Sequence, residues 1–292
     1  GRIVDFVHGN SDAKICCQLG HSGPKGSTRV GWEGMDMPLE DGNWELLAPS
    51  EIRWDKANQL PRAATEEDMR QVTADFVSAT RRAAEAGFDM LELHAAHGYL
   101  LSAFISPLTN KRQDEYGGSL ENRMRFGMEV FRSIRAEVGP DFVVGLRMSG
   151  DEFSENGLSH GDLAEIAGIM SETGMVDYIS VVGSRGDTHA TLAAAIPDMS
   201  YPPEPFLHLA AGIKQYESLA IVQLHHSGMR SPKELTGCQP VAPSDDEETG
   251  ARAMSTAEVE QVIEDFILAA QRAEKAGFDG VEIHGANGYL ID

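Results

Sequence analysis

The chain alternates between short apolar runs and longer stretches with helical periodicity. Strand-like runs fall at residues 14–19, 90–94, 142–148, 178–182, 219–224 and 280–284. Amphipathic stretches of helical length lie between most of them, at residues 66–86, 120–138, 160–173 and 256–276. Apolar positions recurring every three to four residues bury one helix face, while short uninterrupted apolar runs suit strands covered on both faces. Strands alternating with helices predict βαβ units and a parallel sheet. Thr65-x-x-Asp68 and Ser255-x-x-Glu258 have the spacing of capping boxes, and Gly87 and Gly277 stand where those helices should end. Residues 1–4 read like the middle of a helix, and Asp292 follows a motif within three residues, so both ends read as cut.

The apolar pattern also repeats at long range. Residues 65–100 align without gaps on 255–290, with 17 identities in 36 positions. AGFDMLELHAAHGYL at 86–100 matches AGFDGVEIHGANGYL at 276–290, QLGHSG at 18–23 matches QLHHSG at 223–228, and LAPS at 47–50 matches VAPS at 241–244. One strand–loop–helix–strand unit therefore occurs twice. The period is too long for a solenoid, which points to a duplication, a fusion or a chimera of two related sequences. Six recognisable strands are two short of a closed (β/α)8 barrel.

Composition narrows the partners. Lys and Arg number 24 against 46 Asp and Glu, a net charge of −22 with a pI of about 4.7. That balance argues against nucleic acid and anionic membrane surfaces, which attract basic patches. The hydrophobic share of 41% is ordinary for a globular chain. Cys16, Cys17 and Cys238 form no CxxC pair or disulfide framework, which suggests a reducing compartment and a cytoplasmic location. Cys16 and Cys17, adjacent on a strand, should point to opposite faces as small buried hydrophobes. No apolar run approaches the length of a membrane span, and no signal-peptide core opens the chain.

Candidate chemistry gathers at strand ends, the mouth of a parallel barrel. His94-x-x-His97-x-Tyr99 ends the second strand run. Two imidazoles can hold an anionic carbonyl or carboxylate through two donors, and a phenol beside them can protonate a carbon. A buried structural His pair and a metal pair remain open, although zinc lacks both the HExxH glutamate and a third ligand. The second copy reads His284-x-x-Asn287-x-Tyr289, where Asn keeps a donor and loses a titrating group. This copy is either a working variant or a stranded fragment. Gln18 and its counterpart Gln223 offer amides at strand ends. Arg147, inside an apolar strand, needs a partner, and Glu92 and Glu282 are the natural internal counter-charges. The polar stretch containing Asn110, Arg112, Asp114, Glu115, Tyr116, Gly117 and Gly118 reads as structural.

HAAHGYLLSAFISPLTNKRQDEYGGSLENRMRF at 94–126, with QLGHSGPKG at 18–26 and VGLRMS at 144–149, resembles the Old Yellow Enzyme family of FMN-dependent oxidoreductases. The resemblance is nearest to the longer members that reduce unsaturated acyl-CoA or oxidise small amines. It runs continuously over about residues 1–215, and residues 216–292 resemble part of a second member. It implies an α/β fold of the (β/α)8 TIM-barrel type, here incomplete. Residues 1–215 would be the central part of an FMN barrel, and 216–292 a repeated segment completing it or appended to it. It also implies FMN as cofactor, NADH or NADPH as reductant, and a small-molecule substrate with an activated C=C bond. His94, His97 and Tyr99 would be catalytic, Gln18 and Arg147 would face the flavin, and Gln223, His284, Asn287 and Tyr289 would be second-copy equivalents. Amine oxidation and a flavin-less inactive fragment are the alternatives. The family's first two strands, and the last two that grip the FMN phosphate, have no counterpart here, so weak FMN binding and possible homo-oligomerisation are expected.

Overall fold

The computed structural model describes residues 1–30, 37–150, 152, 154–182, 204–215, 218–231, 233, 237–247, 249–285 and 289–291. Its core is one parallel sheet of six strands in chain order: β1 (Cys16–Leu19), β2 (Met90–Ala95), β3 (Val143–Ser149), β4 (Tyr178–Val182), β5 (Leu219–Leu224) and β6 (Gly280–Ile283). Every strand run read from the sequence is present. Around the sheet lie α1 (Arg2–Asn10), α2 (Glu66–Glu85), α3 (Leu100–Ile105), α4 (Leu120–Val138), α5 (His160–Glu172), α6 (Glu204–Lys214) and α7 (Thr256–Lys275). α1 bears out the helical reading of the opening residues. α3 and α6 were not legible from periodicity. α3 is under two turns long, too short to show a period.

Capping sets the long helices. Thr65 and Asp68, Ser159 and Asp162, and Ser255 and Glu258 each form a reciprocal capping box. Such a cap typically stabilises a helix by about 1 kcal/mol. Gly87 and Gly277, just past α2 and α7, adopt φ values of 88° and 93°, the left-handed region that favours glycine.

The sheet is rolled. Arg147 on β3 reaches Glu282 on β6 at 3.1 Å, although three strand spacings would separate them by about 14 Å in a flat sheet. The convex face is apolar: Leu91, Leu93, Val144, Leu146, Ile179 and Val181 are buried beneath Phe76, Phe126, Ile134, Ile166 and Ile213. The concave face differs from the expectation that both faces would be apolar. It presents Gln18, Glu92, His94, Arg147, Ser180, Gln223 and Glu282, because alternate residues of these strands are polar and pair across the roll. Cys16 also departs from expectation. It is exposed and Cys17 half-buried, because β1 is a sheet edge and lacks a neighbour on one side. The two do face opposite ways: Cys16 Sγ lies 3.6 Å from the Tyr178 hydroxyl inside the roll, and Cys17 packs on the apolar core.

The sequence repeat is a structural repeat. Leu100 N–H donates to His21 O at 2.9 Å, and Leu290 N–H to His226 O at 3.1 Å. Asp89 accepts from Ile15 N–H at 2.8 Å, and Asp279 from Ala220 N–H at 3.0 Å. A Cβ on Gly23 or Gly228 would come within 2.8 Å of the backbone nitrogen of Leu100 or Leu290, so both tight approaches require glycine. Burial is where the copies part. Met69 on α2 is 3% exposed under α4, and its counterpart Val259 on α7 is 45% exposed. Ile263, Ile267 and Leu268 extend that open apolar face. No helix among the described residues is long and apolar enough to cross a membrane.

Gly145 on β3 lies under the Tyr178 ring, and a Cβ there would sit 2.1 Å from the ring. Gly145→Ala should cost about 1–3 kcal/mol in urea unfolding. Tyr178→Ala in the same chain should make the added methyl nearly neutral. A full penalty in the double variant would place the strain elsewhere.

Candidate active site

β2 delivers the site. Glu92 and His94 point into the roll, and the chain then turns sharply through Ala96, His97 and Gly98 before α3 begins. His97 has φ of 59° and Gly98 of 74°. A non-glycine residue held in this region stores backbone strain, a frequent property of functional turns. The turn returns Tyr99 towards His94, with ring centroids 4.7 Å apart. His94, His97 and Tyr99 thus come together as the sequence predicts.

Hydrogen bonds fix the proton positions in the pair. Ala96 N–H donates to His94 Nδ1 at 3.1 Å, so that nitrogen is an acceptor. His94 Nε2 therefore carries the proton of the neutral ring and donates to His97 Nδ1 at 3.0 Å. His97 Nε2 then carries the second proton. The pair is a one-directional chain of donors in this conformation, and the two-donor clamp expected from the sequence requires His94 Nε2 to leave His97. Both imidazoles are neutral. Burial, with the positive charge of Arg147 and Lys25, pushes His94 down to about 3. Burial, then the His94, Arg147 and Lys25 charges, hold His97 well below its ordinary value.

Below the imidazoles lies a charged layer. Gln18 Nε2 donates to Glu92 Oε1 at 2.6 Å, and Gln223 Nε2 to Glu282 Oε1 at 2.8 Å. Arg147 stands between these two pairs. Its Nη1 lies 3.1 Å from Glu282 and 4.0 Å from Glu92, and its Nη2 donates to the Gln223 carbonyl. Arg147 is 3% exposed, and its counter-charges are the two carboxylates expected from the sequence. Burial pushes the Glu92 carboxyl above its ordinary value, against the pull of Gln18 and Arg147.

A cavity of about 450 Å³ opens beside this cluster, lined by Gln18, Lys25, Trp44, His94 and Tyr99 among others. Lys25 and Trp44 were missed as site residues. Lys25 stands inside the QLGHSGPKG motif, where a cation next to a strand-end glutamine was the available signal. Trp44 lies in a connecting segment with no pattern to mark it. In the second copy, the His284 and Tyr289 rings are 4.9 Å apart, and His225 lies 5.5 Å from Tyr289. Asn287 lies outside the described residues. The loop from Asn110 to Gly118 is structural, as read: Asn110 Nδ2 donates to Phe104 O and Tyr116 O, and Arg112 pairs with Asp114 and donates to Ala64 O at 2.7 Å.

A rolled parallel sheet with its polar cluster at strand ends defines a (β/α)-barrel enzyme class whose sites form at that mouth. The chain belongs to the NADH:flavin oxidoreductase / NADH oxidase family, whose model matches residues 2–190 and 203–292. FMN is that family's cofactor, and NADH or NADPH is named in its members. An N,N-dimethylglycine/sarcosine dehydrogenase from Chromohalobacter salexigens is 47% identical over 234 residues, covering 80% of this chain and 32% of that protein. A multifunctional alkene reductase/demethylase from Caballeronia cordobensis is 35% identical over 222 residues, covering 75% of this chain and 30% of that protein. The chain thus spans about a third of the length of these two curated relatives. A solved morphinone reductase in complex with tetrahydroNAD shares the fold, with a TM-score of 0.60 at 21% identity over 97% of this chain and 65% of that one.

His94 gives a pH signature. Its folded value is near 3 and its unfolded value near 6.5, so between those limits the unfolded chain binds more protons. Stability should therefore fall as pH drops below about 6.5, by up to about 1.4 kcal/mol per pH unit from this group. In His94→Gln the acid-side loss should be shallower in urea unfolding at pH 7, 6 and 5. An unchanged slope would show that His94 is not the neutral buried group described.

Proposed function

We propose that this chain carries the substrate side of a flavin-dependent oxidoreductase, passing hydride between a nicotinamide, FMN and a small activated C=C substrate. The observation that carries this reading is that Tyr99 and the neutral His94, itself hydrogen-bonded to His97, line one cavity at the strand mouth. Bound FMN supplies the ring that accepts and gives hydride.

The residues fit that group on the first-copy side. Gln18 lines the cavity with an amide that both donates and accepts, as the polar edge of a flavin requires. Arg147 would join it only when Glu282 and Gln223 release its guanidinium. His94, which lines the cavity, polarises a substrate carbonyl through Nε2–H once that donor turns from His97, without adding charge. Tyr99 holds its proton at the cavity wall and delivers it to the substrate carbon that does not receive hydride. The hydrogen bonds of His94, from Ala96 N–H and to His97, fix the ring that lines the cavity.

A second reading, oxidation of a small N-methyl amine, is favoured by the 47% identity to a protein named as an N,N-dimethylglycine/sarcosine dehydrogenase. Flavin titration of the purified chain, then reduction by NADH or NADPH and reoxidation by 2-cyclohexenone, tests the first reading. Direct flavin reduction by N,N-dimethylglycine would select the second. A chain that takes up no flavin at any concentration would refute both.

Tyr99→Phe should leave flavin reduction by the nicotinamide nearly intact. Reoxidation by the enone should slow by about 10²–10⁴ in stopped flow, the usual contribution of a positioned proton donor. Equal slowing of both half-reactions would remove the phenol from the proton-transfer step.

A further inference from the structure

We propose that Glu92 is a positioning residue for Gln18, holding its amide by the nitrogen so that the carbonyl oxygen accepts the imide N–H of a ligand. The inference deepens the proposed function and rests on it for the ligand, whose imide is the pyrimidine edge of FMN. The hold itself belongs to the chain alone. It begins as a strand register. Gln18 on β1 stands opposite Glu92 on β2, and Gln223 on β5 stands opposite Glu282 on β6. The same atoms meet in both copies: Gln18 Nε2 donates to Glu92 Oε1 at 2.6 Å, and Gln223 Nε2 to Glu282 Oε1 at 2.8 Å. A carboxylate only accepts, so it selects the nitrogen end of an amide. Glu92 is 6% exposed and surrounded by donors, with the Tyr178 hydroxyl hydrogen-bonded to it and Arg147 at 4.0 Å.

The two copies part at the amide oxygen. Gln223 is 8% exposed, and its carbonyl accepts from Arg147. Gln18 is exposed and lines the cavity, and its carbonyl accepts no hydrogen bond among the described residues. One Gln–Glu pair is thus closed on itself, and the other offers an oxygen to whatever enters. Glu92 does not line the cavity, so its effect on a ligand passes through Gln18. The second copy also shows what the carboxylate prevents. Arg147 already draws in the carbonyl of Gln223, and without the Glu92 charge it would draw in that of Gln18 as well. The cavity would then meet an NH2 group, and an imide N–H would face a donor. With Glu92 in place, the oxygen takes the imide hydrogen, and the second hydrogen of Nε2 suits a carbonyl beside it.

The test compares FMN with N3-methyl-FMN on the full chain, followed by flavin fluorescence. FMN should bind about tenfold more tightly, the scale of one net hydrogen bond. Glu92→Gln keeps the shape and leaves Arg147 its bonds to Glu282 and Gln223. Its new amide turns its own carbonyl to Arg147 and its NH2 to Gln18, so the preference should fall close to one. Gln18→Met should do the same with the carboxylate intact. Both probes meet the same folded fraction, so their ratio does not report a loss of stability. The hold is also read without flavin, by NMR of 15N-labelled glutamine side chains, with Gln18 identified by its loss in Gln18→Met. One Gln18 amide proton should stand downfield, as in a bond to a carboxylate, and return to the position of a free amide in Glu92→Gln. An unmoved signal, or an FMN preference that survives Glu92→Gln, would overturn the assignment. A chain that takes up no flavin yet shows the Glu92-dependent signal would refute the flavin reading and support the hold. Flavin turnover without that signal would refute the hold alone.

Discussion

The Arg147 guanidinium is the contact on which the rolled sheet depends. It starts on β3, reaches across the concave face, and ends between carboxylates from β2 and β6. A buried cation with one partner removed typically costs 3–5 kcal/mol, so the sheet cannot flatten without exposing that charge or leaving it unpaired. The two glutamines matter for the same reason. Gln18 and Gln223 each satisfy one carboxylate, and Gln223 also accepts from Arg147, so the layer is almost fully hydrogen-bonded. The imidazoles above it inherit their neutrality in part from this arginine, whose charge opposes a second positive charge nearby.

That arrangement joins the two halves of the sequence repeat. One arginine, present once, serves two Gln–Glu pairs that are copies of one another. The first copy gives Glu92, nearly buried and at the longer distance; the second gives Glu282, more exposed and at the shorter one. The difference follows from position. β2 sits inside the sheet, and β6 is an edge whose carboxylate keeps access to water.

Much of this was legible in the sequence. The six apolar runs gave the strands, the capping boxes and glycines gave the ends of α2 and α7, and the repeat stood out because whole motifs recur. Arg147 with Glu92 and Glu282 could be paired in advance because a charge in an apolar run must find an opposite charge. What was not legible depends on neighbours in space. The exposure of Cys16 follows from β1 lying at an edge. The polar lining of the roll follows from curvature, which turns alternate residues of separate strands towards one another. The donor direction in His94–His97 follows from one backbone amide, Ala96 N–H, which no residue pattern reveals. Lys25 was in view within its motif but became a site residue only once the turn at His97 brought its carbonyl within reach.

The open face of α7 and β6 has a consequence for how the molecule breathes. β2 and α2 are sealed by α4, whereas Val281 and Ile283 on β6 and the apolar row of α7 meet solvent. Segments with few buried contacts open first, and amide hydrogen exchange should run as a gradient across the sheet, slow in β2 and β3 and fast in β6. Because Glu282 rides on β6, each opening of that edge also strips the nearer counter-ion from Arg147. Local fraying at the rim is thereby converted into a change of electrostatic potential at the centre, and the positive charge felt by the imidazoles rises and falls with the motion of β6.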